Sequence, residues 1–436
     1  MATEATQAAS NAVIVGAGIV GVCCAYALQR AGFTVTLIEK DEPGRAASYG
    51  NSGSIGLSSS PPLGTPGMLK DVPRMLLDPM HALVIRWKHL PRAVPWFLKL
   101  ARTLKPEKVE AIAKARAMLL SHAGQSYDDL LAEIGRPEII YQAGLLFAYE
   151  TDKAFAGAQY GAELRRRTGI EVRAVDAGAM RDMEPALSDK VRHGLFLPNV
   201  RTTTHPLRLT EAILAAFVAR GGRLVKEAVV GFERSGSNMN GSNVTAVRTD
   251  RGRHPCDLAV ISAGAWSREL VKLLGDRTSL EAERGYHIMI DGVRNLPRMP
   301  VVSGDHNVSI TAMEGSLRMT TMAEFAAIDA PPDHERALRI FKGAAGLIRD
   351  LDLKVASRWV GSRPSTPDSL PVIGRSPRAR NVFYAFGHGH LGVTFGAITG
   401  KLIAQLARDE HPNIDVSLFR PDRDFTADHL MPGSPS

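Results

Sequence analysis

The chain has 436 residues, of which 44% are apolar and 22% charged, with a formal net charge of +8. It is too apolar to be disordered, its 40 Gly and 26 Pro carry no collagen-like period, and its length suits two or three domains with sizeable cores. Three cysteines, Cys23, Cys24 and Cys256, make neither a disulfide framework nor a CxxC metal pair, and they fit a reducing, cytoplasmic setting.

The first element is an apolar, glycine-containing run over 12–28. It is nearly long enough for an export signal or a membrane span, but the first basic residue is Arg30, downstream of it. Its glycines have a closer explanation. Residues 13–15 read as a buried strand, Gly16-Ala17-Gly18-Ile19-Val20-Gly21 follows as GxGxxG, and 20–30 reads as a helix. This is the pattern of a dinucleotide site. Gly16 permits the tight turn, Gly18 lets the backbone approach a pyrophosphate, and Gly21 lets helix and strand pack closely. The helix start at Ile19 and Val20 offers N–H donors to phosphate. A second strand over 33–38 closes at Glu39 and Lys40, where an acidic side chain can bind a ribose 2′-hydroxyl.

A nicotinamide domain would continue with short βα units. Here a small-residue loop follows, containing Ser48, Asn51, Ser52 and Gly53. Its backbone and hydroxyls can approach a large flat ligand such as a flavin, although a flexible linker has the same composition. The stretch 68–105 then carries Lys70, Arg74, Arg86, Lys88, Arg92, Lys99, Arg102 and Lys105 against Asp71 and Asp78, and it also holds Trp87, Trp96 and Phe97. It reads as a basic amphipathic helical stretch, either a cover with a solvated basic face or a surface for an anionic membrane. It lacks the stacked-aromatic and basic-repeat patterns of nucleic-acid modules, so no nucleic-acid partner is expected. Further on, strands are predicted at 144–149, 171–175, 223–233, 258–262, 286–290 and 317–321, and helices at 152–168 and 205–220. Residues 235–243 read as a polar hairpin tip.

The C-terminal quarter carries Gly361-Ser-Arg363-Pro-Ser-Thr-Pro-Asp368-Ser-Leu-Pro-Val-Ile-Gly374. Gly387-His388-Gly389-His390-Leu391-Gly392 follows, opening a helix to about residue 407. Together with the N-terminal fingerprint, this resembles the D-amino acid dehydrogenase family (small subunit type). That family lies within the FAD-dependent superfamily of D-amino acid oxidase, glycine oxidase and sarcosine oxidase. The motifs run in family order from Val13 to Phe419.

The resemblance implies an α/β fold (α+β overall), with a glutathione-reductase-type FAD-binding Rossmann domain assembled from 1–66, 200–276 and 358–430. A substrate domain on a mainly antiparallel sheet with helices would come from 67–199 and 277–357, including a basic helical segment 68–108; 431–436 would be a tail. It also implies that Val229 lies near the adenine and that Ala263, Gly264 and Trp266 border the cofactor. The turn from Gly387 to Gly392 would face the flavin pyrimidine with a helix N-terminus that favours the reduced anion. No cysteine lies in that turn, so FAD is expected to be non-covalent.

The activity implied is oxidative deamination of D-amino acids by hydride transfer from Cα to flavin N5. The imino acid would hydrolyse to a 2-oxo acid and ammonia, and electrons would pass to a quinone or another carrier. Arg363 matches the family's carboxylate anchor, with Arg358 as the backup, because a guanidinium fork pairs bidentately with two oxygens. Tyr286 matches the family's RGY segment and could bind a substrate oxygen or form part of a lid, or be a half-buried core residue. Either His388 or His390 could titrate near neutral pH and tune amine deprotonation, or act only as a hydrogen-bonding support behind the site. Oxidation of cyclic or N-methyl amino acids, as in D-hydroxyproline or D-proline dehydrogenase or sarcosine oxidase, uses the same anchor and stays open, as does a non-catalytic FAD-binding subunit. The family's link to respiration gives the basic stretch a purpose, peripheral docking on the inner membrane.

Overall fold

The computed structural model describes residues 10–68, 78, 81–235 and 241–433. A six-stranded sheet is built around the valine-rich strand Asn11–Val15, buried from its second residue onward, as a parallel strand covered on both faces must be. Thr34–Glu39 and then Arg223–Lys226 lie to one side of it. Leu258–Ile261, Val382–Phe386 and Val372–Arg375 lie to the other, and only the last is antiparallel. The helices Ile19–Arg30 and Gly392–Ala407 pack on each other at this sheet. A Cβ at Gly400 would sit 2.5 Å from the carbonyl oxygen of Cys23, so that glycine sets the approach of the two helices. Cys23 and Cys24 are buried in the same layer, and burial pushes both thiols far up.

A nine-stranded, mainly antiparallel sheet forms the second layer. Val355–Ser365, Glu281–Asp291, Ser316–Phe325, Val308–Met313 and Val301–Ser303 run side by side, and Leu145–Tyr149, His193–Leu197 and Arg173–Asp176 continue it. The expected combination of a Rossmann-type sheet and an antiparallel sheet with helices is therefore present. The chain end is fastened by Arg423, whose guanidinium donates to both oxygens of Asp368, with both side chains fully buried.

Three local expectations change. Residues 223–233 form two strands. Arg223–Lys226 pairs with Thr34–Glu39 only as far as Glu39, where its partner ends, and Val229–Arg234 then starts a separate antiparallel sheet with Val244–Thr249. The strand expected at 171–175 begins two residues later, at Arg173. The segment 68–108 is not one helical stretch. Among the described residues, Leu83–Ile85 is a strand beside Ser316–Phe325, an α-helix covers Leu90–Thr103, and Pro106 starts the next helix. Lys70, Arg74 and residues 236–240 of the polar tip lie outside the described residues.

Candidate active site

At the C-terminal end of the Asn11–Val15 strand, the turn is dictated by sterics. Gly16 has φ +101°, and a Cβ there would meet the Ala263 backbone at 2.7 Å; a Cβ at Gly21 would meet the Gly16 oxygen at 1.8 Å. Gly18 precedes the first helical turn without any side-chain cap of its own, and the Ser48 hydroxyl accepts from the Ile19 N–H at 3.0 Å. Glu39 Oε2 accepts from the Ala17 N–H at 2.7 Å, and Lys40 Nζ sits 4.3 Å from the centre of the Trp266 ring. These groups border a cavity of about 940 Å³, a volume at the upper end for cofactor sites. Val20, Val229, Ala263 and Gly264 also line this end.

The same cavity passes the small-residue loop and the C-terminal glycine turn. Asn51 and Ser52 line it, as do His388, Gly389, His390 and Gly392. The loop is held from beneath by Arg318, which donates to the carbonyl oxygens of Tyr49 (2.8 Å) and Asn51 (2.6 Å). Burial lowers the Arg318 guanidinium to about 10. Gly21, Gly53, Gly387 and Leu391 do not line the cavity; Gly53 and Gly387, with φ +85° and +78°, shape the turns beside it.

At the far end, the register of two strands organises the wall. Glu283 lies opposite Arg363, Gly285 opposite Gly361, and His287 opposite Trp359. Strand alternation puts these six residues on one face. The glycines leave room for flat side chains. A Cβ at Gly285 would fall 2.0 Å from Arg363 Nη2, and one at Gly361 would fall 2.2 Å from the Trp359 ring. Trp359 stacks on His287 with ring centroids 4.9 Å apart and 16° between planes. Arg363 lines the cavity and donates through Nη1 to the Met322 carbonyl (2.8 Å) and to Glu283 Oε1 (3.1 Å).

Glu283 is fully buried and also accepts from His390 Nε2 at 2.6 Å and from the Ser365 hydroxyl at 2.8 Å. Burial pushes its carboxyl up, but the His390 ring and the Arg363 guanidinium outweigh burial and hold it at about 2.

Three expectations are corrected here. Tyr286 is on the opposite face of its strand from Glu283, fully buried, donating to Glu324 Oε2 (2.5 Å) and accepting from the Asp333 N–H (3.0 Å); it does not reach the cavity. Arg358 points to Glu335 Oε1 at 3.2 Å and is also absent from the cavity wall. His388 lines the cavity but is buried against Thr399 Oγ1 at 3.0 Å, and burial lowers it to about 3, so it is neutral in the range where it was expected to titrate. Sequence reasoning missed Glu283, Trp359 and Arg318. Glu283 was within reach of it, because a residue three places before Tyr286 in a strand must face the other way.

The strand–GxGxxG–helix cradle and the cross-strand arginine line one cavity, and the chain matches a known family. The sequence profile of that family, "FAD dependent oxidoreductase", matches residues 11–406. The chain belongs to it. It is 37% identical over 420 residues to a D-amino-acid oxidase of Bradyrhizobium diazoefficiens, covering 95% of this chain and 98% of that one. It is 30% identical to a D-amino acid dehydrogenase of Cereibacter sphaeroides, covering 92% and 93%. Among solved structures, the glycine oxidase from Geobacillus kaustophilus shares the fold at a TM-score of 0.72 with 22% identity, over 95% of this chain and 99% of that one. The protein is an FAD-dependent oxidoreductase. The steric cradle at Gly16 and Gly21, the open helix start at Gly18 and the carboxylate of Glu39 fit the dinucleotide part of FAD.

The neutral burial of His388 has a consequence for stability. An unfolded histidine titrates near 6.5, so between about pH 6.5 and 3 the unfolded chain binds a proton that the native state refuses. The contribution is present in full above that window and is lost as pH falls through it. The urea midpoint of the protein is expected to decline below about pH 6.5, and to decline less steeply in His388→Gln. An identical slope in the variant would contradict this.

Proposed function

We propose that this oxidoreductase oxidises D-amino acids at Cα, releasing an imino acid that hydrolyses to a 2-oxo acid and ammonia. The observation that carries the reading is Arg363. Its Nη1 is fixed by Met322 and Glu283, while Nε and Nη2 take no protein partner among the described residues and its side chain borders the cavity. A fork held at one corner and open at the others suits a substrate carboxylate. Bound FAD supplies the two-electron acceptor. The names of the two relatives support the D configuration. His388, Gly389, His390 and Gly392 of the glycine turn, with Asn51 and Ser52, border the same cavity as Arg363, and by this reading they hold the flavin. No cysteine lines the cavity, which supports a non-covalent cofactor.

The electrons leave, by this reading, to a quinone or another carrier at a membrane. Val94 and Leu98 are exposed four residues apart on one face of the Leu90–Thr103 helix, next to exposed Trp87, Lys88, Arg92 and Arg102. Trp96 and Phe97 do not contribute to this surface, because they pack against Phe325. No helix among the described residues is long and apolar enough to cross a membrane, so docking would be peripheral.

Two tests follow. In an anaerobic spectral titration, D-amino acids should bleach the oxidised flavin band and L-isomers should not. Arg363→Met should lose about 100-fold or more in kcat/KM, the scale of a lost charge-assisted bidentate contact, while keeping its FAD. Unchanged turnover would remove Arg363 from the site. For the surface, binding to anionic vesicles should be released by salt, and binding indifferent to salt and to lipid charge would exclude docking of this kind.

A further inference from the structure

His390 and Glu283 are placed to do more than support Arg363. His390 borders the cavity and is half-exposed, and its Nε2–H is donated to the buried carboxylate of Glu283 at 2.6 Å. In the neutral imidazole, that bond places the hydrogen on Nε2 and the lone pair on Nδ1. Nδ1 takes no protein partner among the described residues. The Oε1 atom that receives His390 also receives Arg363, so the base and the carboxylate anchor hang from one fixed anion.

We propose that His390 is the group that accepts the proton of the substrate ammonium, and that Glu283 is the positioning residue that orients it and stabilises its imidazolium. This rests on the amino acid reading above. An amino acid held by its carboxylate at Arg363 enters as a zwitterion, and its nitrogen lone pair must be free before hydride can leave Cα. In the step proposed, an ammonium N–H bond breaks, its electron pair stays on nitrogen, and a new N–H bond forms at His390 Nδ1. No electron moves to or from the protein. Arg363 and Glu283 cancel each other's charge and the zwitterion brings none, so the transfer leaves the total charge of the site unchanged. The new imidazolium then faces Glu283. Glu283 itself is not the acceptor, since its Oε1 is occupied by Arg363 and His390 and its Oε2 by the Ser365 hydroxyl, away from the cavity.

The titratable groups around the pair are consistent with this division of labour. Arg363 faces it from the Val355–Ser365 strand as a permanent cation, Glu283 from Glu281–Asp291 as a permanent anion, and His388 on its own turn is buried and neutral. His81 lines the same cavity from the preceding segment.

The test is the pH dependence of anaerobic flavin reduction by a D-amino acid in the holoenzyme, for the parent, His390→Asn and Glu283→Gln. In His390→Asn the acid limb of the parent should vanish, the rate should follow the ionisation of the substrate amine alone, and the loss at neutral pH should be about 100-fold. Glu283→Gln should move the limb to lower pH, because the imidazolium loses its anion. Binding of 2-aminoisobutyrate, which has no Cα hydrogen, gives the same linkage without turnover, and its pH dependence should change in the same way. A His390→Asn profile superimposable on the parent's, in a variant with normal FAD content, overturns the proposal and leaves the amino acid reading standing. A parent that no D-amino acid reduces overturns both. His390 is at the surface of the cavity, so its variant tests the idea even where Glu283→Gln does not fold.

Discussion

The site depends on one cross-strand pair, Glu283 opposite Arg363, in which a fully buried carboxylate holds a guanidinium at the edge of a cavity. A carboxylate without solvent is costly unless its lone pairs are filled, and here a guanidinium, an imidazole and a hydroxyl fill them. The arrangement also needs space that only an absent side chain can leave. Gly285 supplies it beneath Arg363, as Gly361 does beneath Trp359. The polar pair and the bare backbone are one device: the first fixes one corner of the fork, and the second lets it lie flat against the sheet.

That wall is coupled to the nucleotide cradle through short, specific ties. Arg318, from the strand next but one to Arg363, grips the loop carbonyls at Tyr49 and Asn51, and the Gly56 N–H reaches Thr394 Oγ1 in the C-terminal helix. The Gly16 turn is itself locked against Ala263, so the neighbouring strands Asn11–Val15 and Leu258–Ile261 set the geometry together. The cavity is lined by segments far apart in the chain, and these ties keep them in register.

The nucleotide motif was legible because its logic is local. Gly16, Gly18, Gly21 and Glu39 lie within one strand–turn–helix–strand unit, and each has a steric or charge reason at its own position. The antiparallel sheet was legible as a set of strands but not as a set of faces. The RGY segment marks a strand near the site, yet the face shared with Arg363 and Trp359 carries Glu283, Gly285 and His287, so Tyr286 goes to the core. Residues 223–233 look uniform in sequence, and only the end of the partner strand at Glu39 divides them. The neutrality of His388 could not be read from a motif, because it arises from burial by the C-terminal helix. Trp96, which suggested a membrane face, is a core residue, and Phe97 packs partly buried beside it, for a related reason: amphipathicity shows that a helix has two sides, while packing decides which one is covered.

The most direct test of this account is a Gly285→Ala variant, compared with the parent for FAD content and for affinity toward a D-amino acid in anaerobic spectral titration. The added methyl group overlaps the Arg363 guanidinium and nothing in the nucleotide cradle. The account therefore predicts normal FAD content with substrate affinity weakened by about tenfold or more, the scale of a misplaced charge-assisted contact. Parent-like affinity in a fully loaded variant would contradict it, and would mean that the Arg363 fork does not hold the substrate.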